Sequence, residues 1–146
     1  MSERAAFDIA ADFIASHEGL SLSAYWDAIG EVWTIGYGHA GSHPGAALKD
    51  EQAARTLLLQ DMQQFERAVL EYIDGVVLNQ NQLAALVSFE FNTGAGPSSG
   101  VWAHLHEGDF EGAMSVLKTW DHDGAGNVIP GLVNRRNDEV ALFNKK

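Results

Sequence analysis

"SHEGLSLSAYWDAIGEVWTIGYGHAG", residues 16–41, decides how this chain reads. It gathers the carboxylates Glu18, Asp27 and Glu31 and the hydroxyl of Thr34 into a run of aromatics and glycines. Just upstream, Phe7, Ala11, Ile14 and Ala15 recur at helical spacing, which predicts an amphipathic helix over residues 4–17 with Gly19 as its cap. Further on, Trp33, Ile35 and Tyr37 alternate with Thr34, Gly36 and Gly38, the period of a strand, and "DAIGE" supplies a turn. A small hairpin or sheet is therefore expected over residues 22–39. Its face of Val32, Thr34, Gly36 and Gly38 is expected to leave room for a bulky ligand, with Thr34 facing a cleft. The face of Trp33, Ile35 and Tyr37 is expected to pack inward.

Glu18 falls in the last turn of the first helix. The negative end of the helix dipole and apolar neighbours such as Ile14 and Leu20 favour its protonated form, which suits a general acid. Asp27 lies in a polar turn that favours the anion. Two acids in unlike surroundings can cut a glycosidic bond, one giving a proton and the other acting as an anion. Thr34 is placed to help Asp27 hold a water. Spacing alone favours a plainer account, two surface acids and an ordinary strand threonine, because such trios arise by chance.

The remaining sequence sets the frame. At 146 residues, with 46% apolar and 20% charged side chains, one domain with a real core is expected. The absence of cysteine excludes a disulfide scaffold, a cysteine-ligated zinc site and a thiol nucleophile. A net charge of −11, from 20 acidic and 9 basic residues, argues against nucleic acid as a partner and against a basic membrane-surface helix. No stretch reaches the length of a membrane span, so no membrane insertion is expected. Glu3, Asp8 and Asp12 interrupt what would be a signal-peptide core, so the chain as written carries no export address.

Ala54, Leu58, Met62, Phe65, Val69 and Tyr72 follow at steps of three and four and predict a helix over residues 51–72, capped by Asp50. A mostly buried helix is expected within 78–96, short helices near 98–106 and 109–119, and a last one over 131–143. The class is α+β and mainly helical: a small β-containing part over residues 20–50, then a helical part over 51–146 joined by the first helix.

Some features look functional and have plainer readings. "DHDGAGNVIPGL", residues 121–132, has the spacing of a calcium loop through Asp121, Asp123 and Gly126, but Ala125 and Leu132 stand where ligands are needed, so a solvated turn is expected. His43, His104 and His106 show no metal-ligand spacing and read as surface residues. Arg135 and Arg136 stand at helical spacing from Glu139, which predicts ion pairing. Of Trp26, Trp33, Trp102 and Trp120, most are expected in the core. Trp26, beside Asp27, is the candidate for a sugar face.

"HEGLSLSAYWDAIGEVWTIGYGH" resembles the front of the phage-type lysozymes, the endolysins of glycoside hydrolase family 24. Their pattern is Glu-Gly at the end of the first helix, a Tyr shortly before an Asp, then Thr-[Ile/Val]-Gly-Tyr-Gly-His. "NQNQLAALVSFEFNTG" and "GLVNRRNDEVALF" match further blocks in order, so the likeness spans most of the chain. It implies a lysozyme-like fold and cleavage of the β-1,4 bond between N-acetylmuramic acid and N-acetylglucosamine in bacterial peptidoglycan. It makes Glu18 the general acid, Asp27 the carboxylate across the cleft and Thr34 the residue that places the water. His39 matches a structural histidine. Phe91 and Asn92 match positions at or near the cleft, and Gly38 lies among the substrate-binding positions with Trp26. No cofactor or metal is implied. The usual outcome is inversion, the protein is expected to be a monomer, and a phage enzyme of this kind collects in the host cytoplasm until a holin opens the way to the wall.

The chain departs from the pattern in three ways. Six residues separate Asp27 from Thr34 where many relatives have five. The extra residue falls near Glu31, where it either bulges or reverses the facing of Asp27, with Glu31 then a substitute acid. Ala40 stands where Thr or Leu is common. The acidic surface is unlike the basic one common in the family, so activity is expected to rise from very low to moderate salt as repulsion from the negatively charged wall is screened. Two other functions stay open on sequence: a non-catalytic glycan-binding relative, and a lytic transglycosylase working through Glu18 alone.

Overall fold

The structure is a computed structural model that describes residues 2–146. In chain order the elements are α1 (Ser2–Glu18), β1 (Ser21–Asp27), β2 (Val32–Gly36), β3 (His39–Ala40), α2 (Glu51–Tyr72), α3 (Gln80–Thr93), α4 (Val101–His106), α5 (Phe110–Lys118) and α6 (Pro130–Phe143). The class is the expected one, α+β and mainly helical. The chain divides into two compact units: Ala11–Gln64, and the residues up to Ala10 with Phe65–Lys146.

In the unit Ala11–Gln64, α1 ends where Gly19 turns left-handed at φ +73° and donates its N–H to the Ala15 carbonyl at 3.2 Å. The three strands form an antiparallel sheet in the order β1-β2-β3. The outer edge of β1 is engaged by the loop before α2: Ala24 N–H donates to Ala46 and Leu48 N–H to Leu22, at 2.9 and 2.7 Å. That pairing removes a free sheet edge. The Asp50 carboxylate accepts the Ala53 N–H at 2.9 Å and caps α2. Ile14, Ile35, Ala54, Leu58 and Met62 make the core, each of the larger ones worth roughly 1.5–3 kcal/mol on burial.

The expected open glycine face is not there. A Cβ at Gly36 would meet Leu48 Cδ1 at 3.3 Å, then Ala54 and Leu57. The space beside Gly36 is filled by the loop and α2 of the same unit, so it holds no ligand. Trp33 is half-buried, while Ile35 and Tyr37 pack inward as expected.

In the second unit, α3 opens with a reciprocal capping box between Asn79 and Gln82 and closes on left-handed Gly94. Its run Leu83–Glu90 is buried without a polar face, which forces Ser88 and Glu90 to find partners inside. Helix α6 packs on α3 and supplies one set. Ser88 Oγ donates to Glu139 Oε2 at 2.6 Å, and Arg136 Nε lies 2.7 Å from Glu139 Oε1, with Arg135 Nε at 3.6 Å from Oε2. The ion pairing expected of both arginines is present, and it is buried. Arg136 also lies over the Phe89 ring at 5.3 Å.

Candidate active site

The register of β1 on β2 decides the facing of Asp27. Tyr25 pairs with Thr34, Trp26 with Trp33 and Asp27 with Val32. Directly opposed residues share a face, and so do residues two apart on one strand. Tyr25, Asp27, Val32 and Thr34 therefore share one face, and Trp26 and Trp33 lie on the other. The extra residue does not turn Asp27 around. It is taken up in the turn of residues 28–31, where Glu31 adopts φ +52°, a left-handed conformation rare outside glycine. Glu31 itself stands exposed at the tip.

That turn also fixes the Asp27 side chain. Asp27 Oδ1 accepts the N–H groups of Ile29 and Gly30 at 3.0 and 3.2 Å. One oxygen is thus spent on holding the turn. A Cβ at Gly30 would come within 3.0 Å of the other, Oδ2, so the small residue at position 30 matters to its surroundings. Thr34 is almost fully buried, 4% exposed, and its hydroxyl donates a long hydrogen bond of 3.4 Å to the Val32 carbonyl.

Glu18, the last residue of α1, is half-buried. Its carboxyl rests on the backbone of Gly38, where an added Cβ would lie 2.6 Å from Oε1 and where φ is +74°. Two side-chain pairs anchor the residues on either side. Tyr37 donates its hydroxyl to Glu51 Oε1 at 3.1 Å, and His39 Nδ1 lies 2.7 Å from Asp61 Oδ2. Burial, then the bond to Glu51 and its charge, push the Tyr37 phenol above its ordinary value, so it remains a donor. The strand face was expected to expose Gly38 to a ligand; its free side is taken by Glu18.

The other candidates belong to the second unit. Phe91 is half-buried, its ring edge-on to Phe65 at 5.4 Å. Asn92 Oδ1 accepts from Arg136 at 2.6 Å. With Thr93, Trp120, His122, Asp123 and Leu132, Asn92 borders a groove of about 280 Å³. Sequence reasoning missed this groove, because it depends on residues from three separate segments. Two of its residues carried a signal in the sequence: Asn92, through the resemblance, and Trp120, which keeps 36% of its surface exposed.

The calcium-like loop satisfies itself. Asp123 Oδ1 accepts the N–H groups of Ala125 and Asn127, both at 2.9 Å, and its Oδ2 accepts the Asn127 amide at 3.2 Å. These bonds, those from Asn127 first, hold the Asp123 carboxyl below its ordinary range. No three His, Cys, Asp or Glu side chains gather as a metal site among the described residues. His104 bonds Asp109 and His106 bonds the Tyr72 carbonyl.

The model of the phage lysozyme family matches residues 15–139, a span that holds the first two blocks of the motif and most of the third. The chain belongs to the phage lysozyme family. The endolysin of Bacillus phage PZA is 42% identical over 138 residues, 91% of this chain and 52% of that protein. The chain thus spans about half the length of its Bacillus phage relatives. The endolysin of Acyrthosiphon pisum secondary endosymbiont phage 1 is 38% identical over 136 residues, covering 89% of this chain and 91% of that protein. Among solved structures, the muramidase domain of SpmX from Asticcacaulis excentricus superposes with a TM-score of 0.84 at 32% identity, over 94% of this chain and 95% of that one. In this member of the phage lysozyme family, Glu18, Asp27, Thr34, Gly38 and His39 all fall within the unit Ala11–Gln64.

Proposed function

We propose that this chain is a muramidase hydrolysing the β-1,4 bond between N-acetylmuramic acid and N-acetylglucosamine of bacterial peptidoglycan. Glu18 is the general acid that protonates the leaving sugar oxygen. Asp27 is the anion that draws a proton from the attacking water, and Thr34 helps to hold that water. The observation that carries the reading is the register, which turns Asp27 and Thr34 to one face of the hairpin despite the longer tip. Glu18 and Asp27 are also held by different pieces of backbone. Asp27 stands opposite the start of β2, Glu18 lies against the turn after it, and Thr34 falls in between. Acids set apart in this way suit inversion, in which the carboxyl groups stand roughly 6.5–9.5 Å apart to admit a water. His39 and Asp61 anchor the segment on which Glu18 rests. No helix among the described residues is long and apolar enough to cross a membrane. A pore-forming holin is the partner proposed for release of the enzyme to the wall.

Glu18→Gln keeps size and removes the proton. Release of reducing sugar from purified cell walls is expected to fall about 10²–10⁴-fold, the usual worth of a general acid, with an unchanged circular dichroism spectrum. Undiminished release from the folded variant overturns the assignment. Product analysis of the wild type is expected to find free reducing ends of inverted anomeric configuration. A 1,6-anhydro sugar would instead assign the chain as a lytic transglycosylase, and binding without cleavage would make it a glycan-binding protein.

A further inference from the structure

Two aromatics, Tyr25 and Trp26, precede Asp27, and a strand can turn only one of them to its face. The register chooses Tyr25: it stands directly across from Thr34 and two residues before Asp27. Residues opposed in this way have Cβ atoms about 4.5–5.5 Å apart. Trp26 is on the reverse face, its ring edge-on to Trp33 at 6.0 Å. Both aromatics are well exposed, Tyr25 at 43% and Trp26 at 52%, but only Trp26 has that indole partner to account for its position. Exposed large apolar side chains also concentrate along this one strand and its tip, at Leu20, Leu22, Tyr25, Trp26 and Ile29.

We infer that Tyr25, and not Trp26, is the aromatic that contacts the sugar at the acid pair; this rests on the muramidase reading. A pyranose ring presents C–H groups on its faces and hydroxyls at its rim. A phenol beside a carboxylate matches both, its ring meeting the face and its hydroxyl reaching the rim. Tyr25 thereby forms a side wall next to Asp27 and Thr34 and sets how the ring lies when water attacks. Its contribution falls on substrate binding and orientation. It takes no part in proton transfer.

The test measures initial rates on soluble glycan strands freed of their peptides, so that KM and kcat separate. Tyr25→Leu keeps apolar volume in the sheet and removes the ring. Its KM is expected to rise about 10-fold, the scale of one aromatic contact. Tyr25→Phe is expected to stay nearer the wild type, and Trp26→Ala to raise KM less than Tyr25→Leu does. Melting curves identify any variant that fails to fold. A Tyr25→Leu enzyme within twofold of wild type, or a larger KM effect from Trp26→Ala, overturns the inference. Calorimetric titration of the same strands into Glu18→Gln and Glu18→Gln/Tyr25→Leu reads binding without cleavage. Should the wild type cleave nothing, the muramidase reading fails, and this titration still decides Tyr25: weaker binding by the double variant supports the contact, and equal binding removes it.

Discussion

Glu18 and Asp27 are half-exposed, and each is located by backbone, Asp27 by two N–H groups of a turn and Glu18 by the surface of Gly38. Glu90 and Glu139, in α3 and α6, are 3% and 0% exposed; Glu90 accepts the Gly96 N–H, and Glu139 meets Ser88 and two arginines. Burial pushes both of these carboxyls above the ordinary glutamate range. Perturbation marks desolvation, which serves catalysis and core construction alike. What separates the two regions is access. Glu18 and Asp27 keep surface that solvent can reach, and Glu90 and Glu139 do not.

The contrast breaks most visibly at Glu139. Glu139→Ala removes the buried carboxylate that Arg135 and Arg136 share, and the loss of one partner from such a set costs about 3–5 kcal/mol. Urea titration is expected to show that loss, while cell-wall hydrolysis per folded molecule stays near wild type. A stable variant with a lost rate would move Glu139 from scaffold to function and erase the distinction between the regions.

Gly38→Ala tests the opposite side. A Cβ there would lie 2.6 Å from Glu18 Oε1, so the carboxyl has to shift. Misplacing a reacting group by about 1 Å costs on the order of 10²-fold in rate. The left-handed backbone adds a stability cost of about 1–2 kcal/mol. The expected result is a rate loss much larger than the melting shift accounts for, read by assaying well below the melting temperature. Equal rates would show that the acid is not held by this contact.

Much of this was legible in the sequence. The steps of three and four in α2 gave its span, Gly19 and Asp50 gave their caps, and the hairpin followed from alternation around a turn. What could not be read was non-local. Alternation predicted two faces for β2, but the space beside Gly36 is filled by Leu48, Ala54 and Leu57, which no local pattern relates to it. The effect of the longer tip could not be decided either, since it depends on Glu31 accepting φ +52°. Trp26 adjoins Asp27 in sequence, yet neighbours on a strand point to opposite faces, so adjacency alone could not tell which aromatic shares the face of Asp27. In α3, a continuous buried run hides the helical period, so the inward glutamate at position 90 could not be told from a surface one.

Glu90 gives the smallest effect and the one that sharpens the comparison most. Its Oε2 accepts the Gly96 N–H at 2.9 Å, and its Oε1 is buried with no hydrogen-bond partner. Around it, Trp102 of α4 donates to the Gly96 carbonyl at 2.9 Å, and Tyr72 of α2 has its phenol raised by burial first and then by the Glu90 charge. Burial outweighs the Gly96 bond and raises the Glu90 carboxyl above its ordinary value. A carboxyl that ionises less readily folded than unfolded is destabilising once the unfolded chain has released its proton. Stability therefore falls as pH rises from the ordinary glutamate range until the folded group has ionised. Gln at this position keeps an oxygen for Gly96 N–H and has nothing to ionise. Glu90→Gln is thus expected to match the wild type near pH 4 and to exceed it near pH 7 by on the order of 1 kcal/mol, with melts at matched ionic strength as the readout. Parallel curves would mean that Glu90 ionises alike in both states. A glutamate so deeply placed would then need a cation or water beside it, and burial would no longer separate the acids that build the core from those proposed to face the substrate.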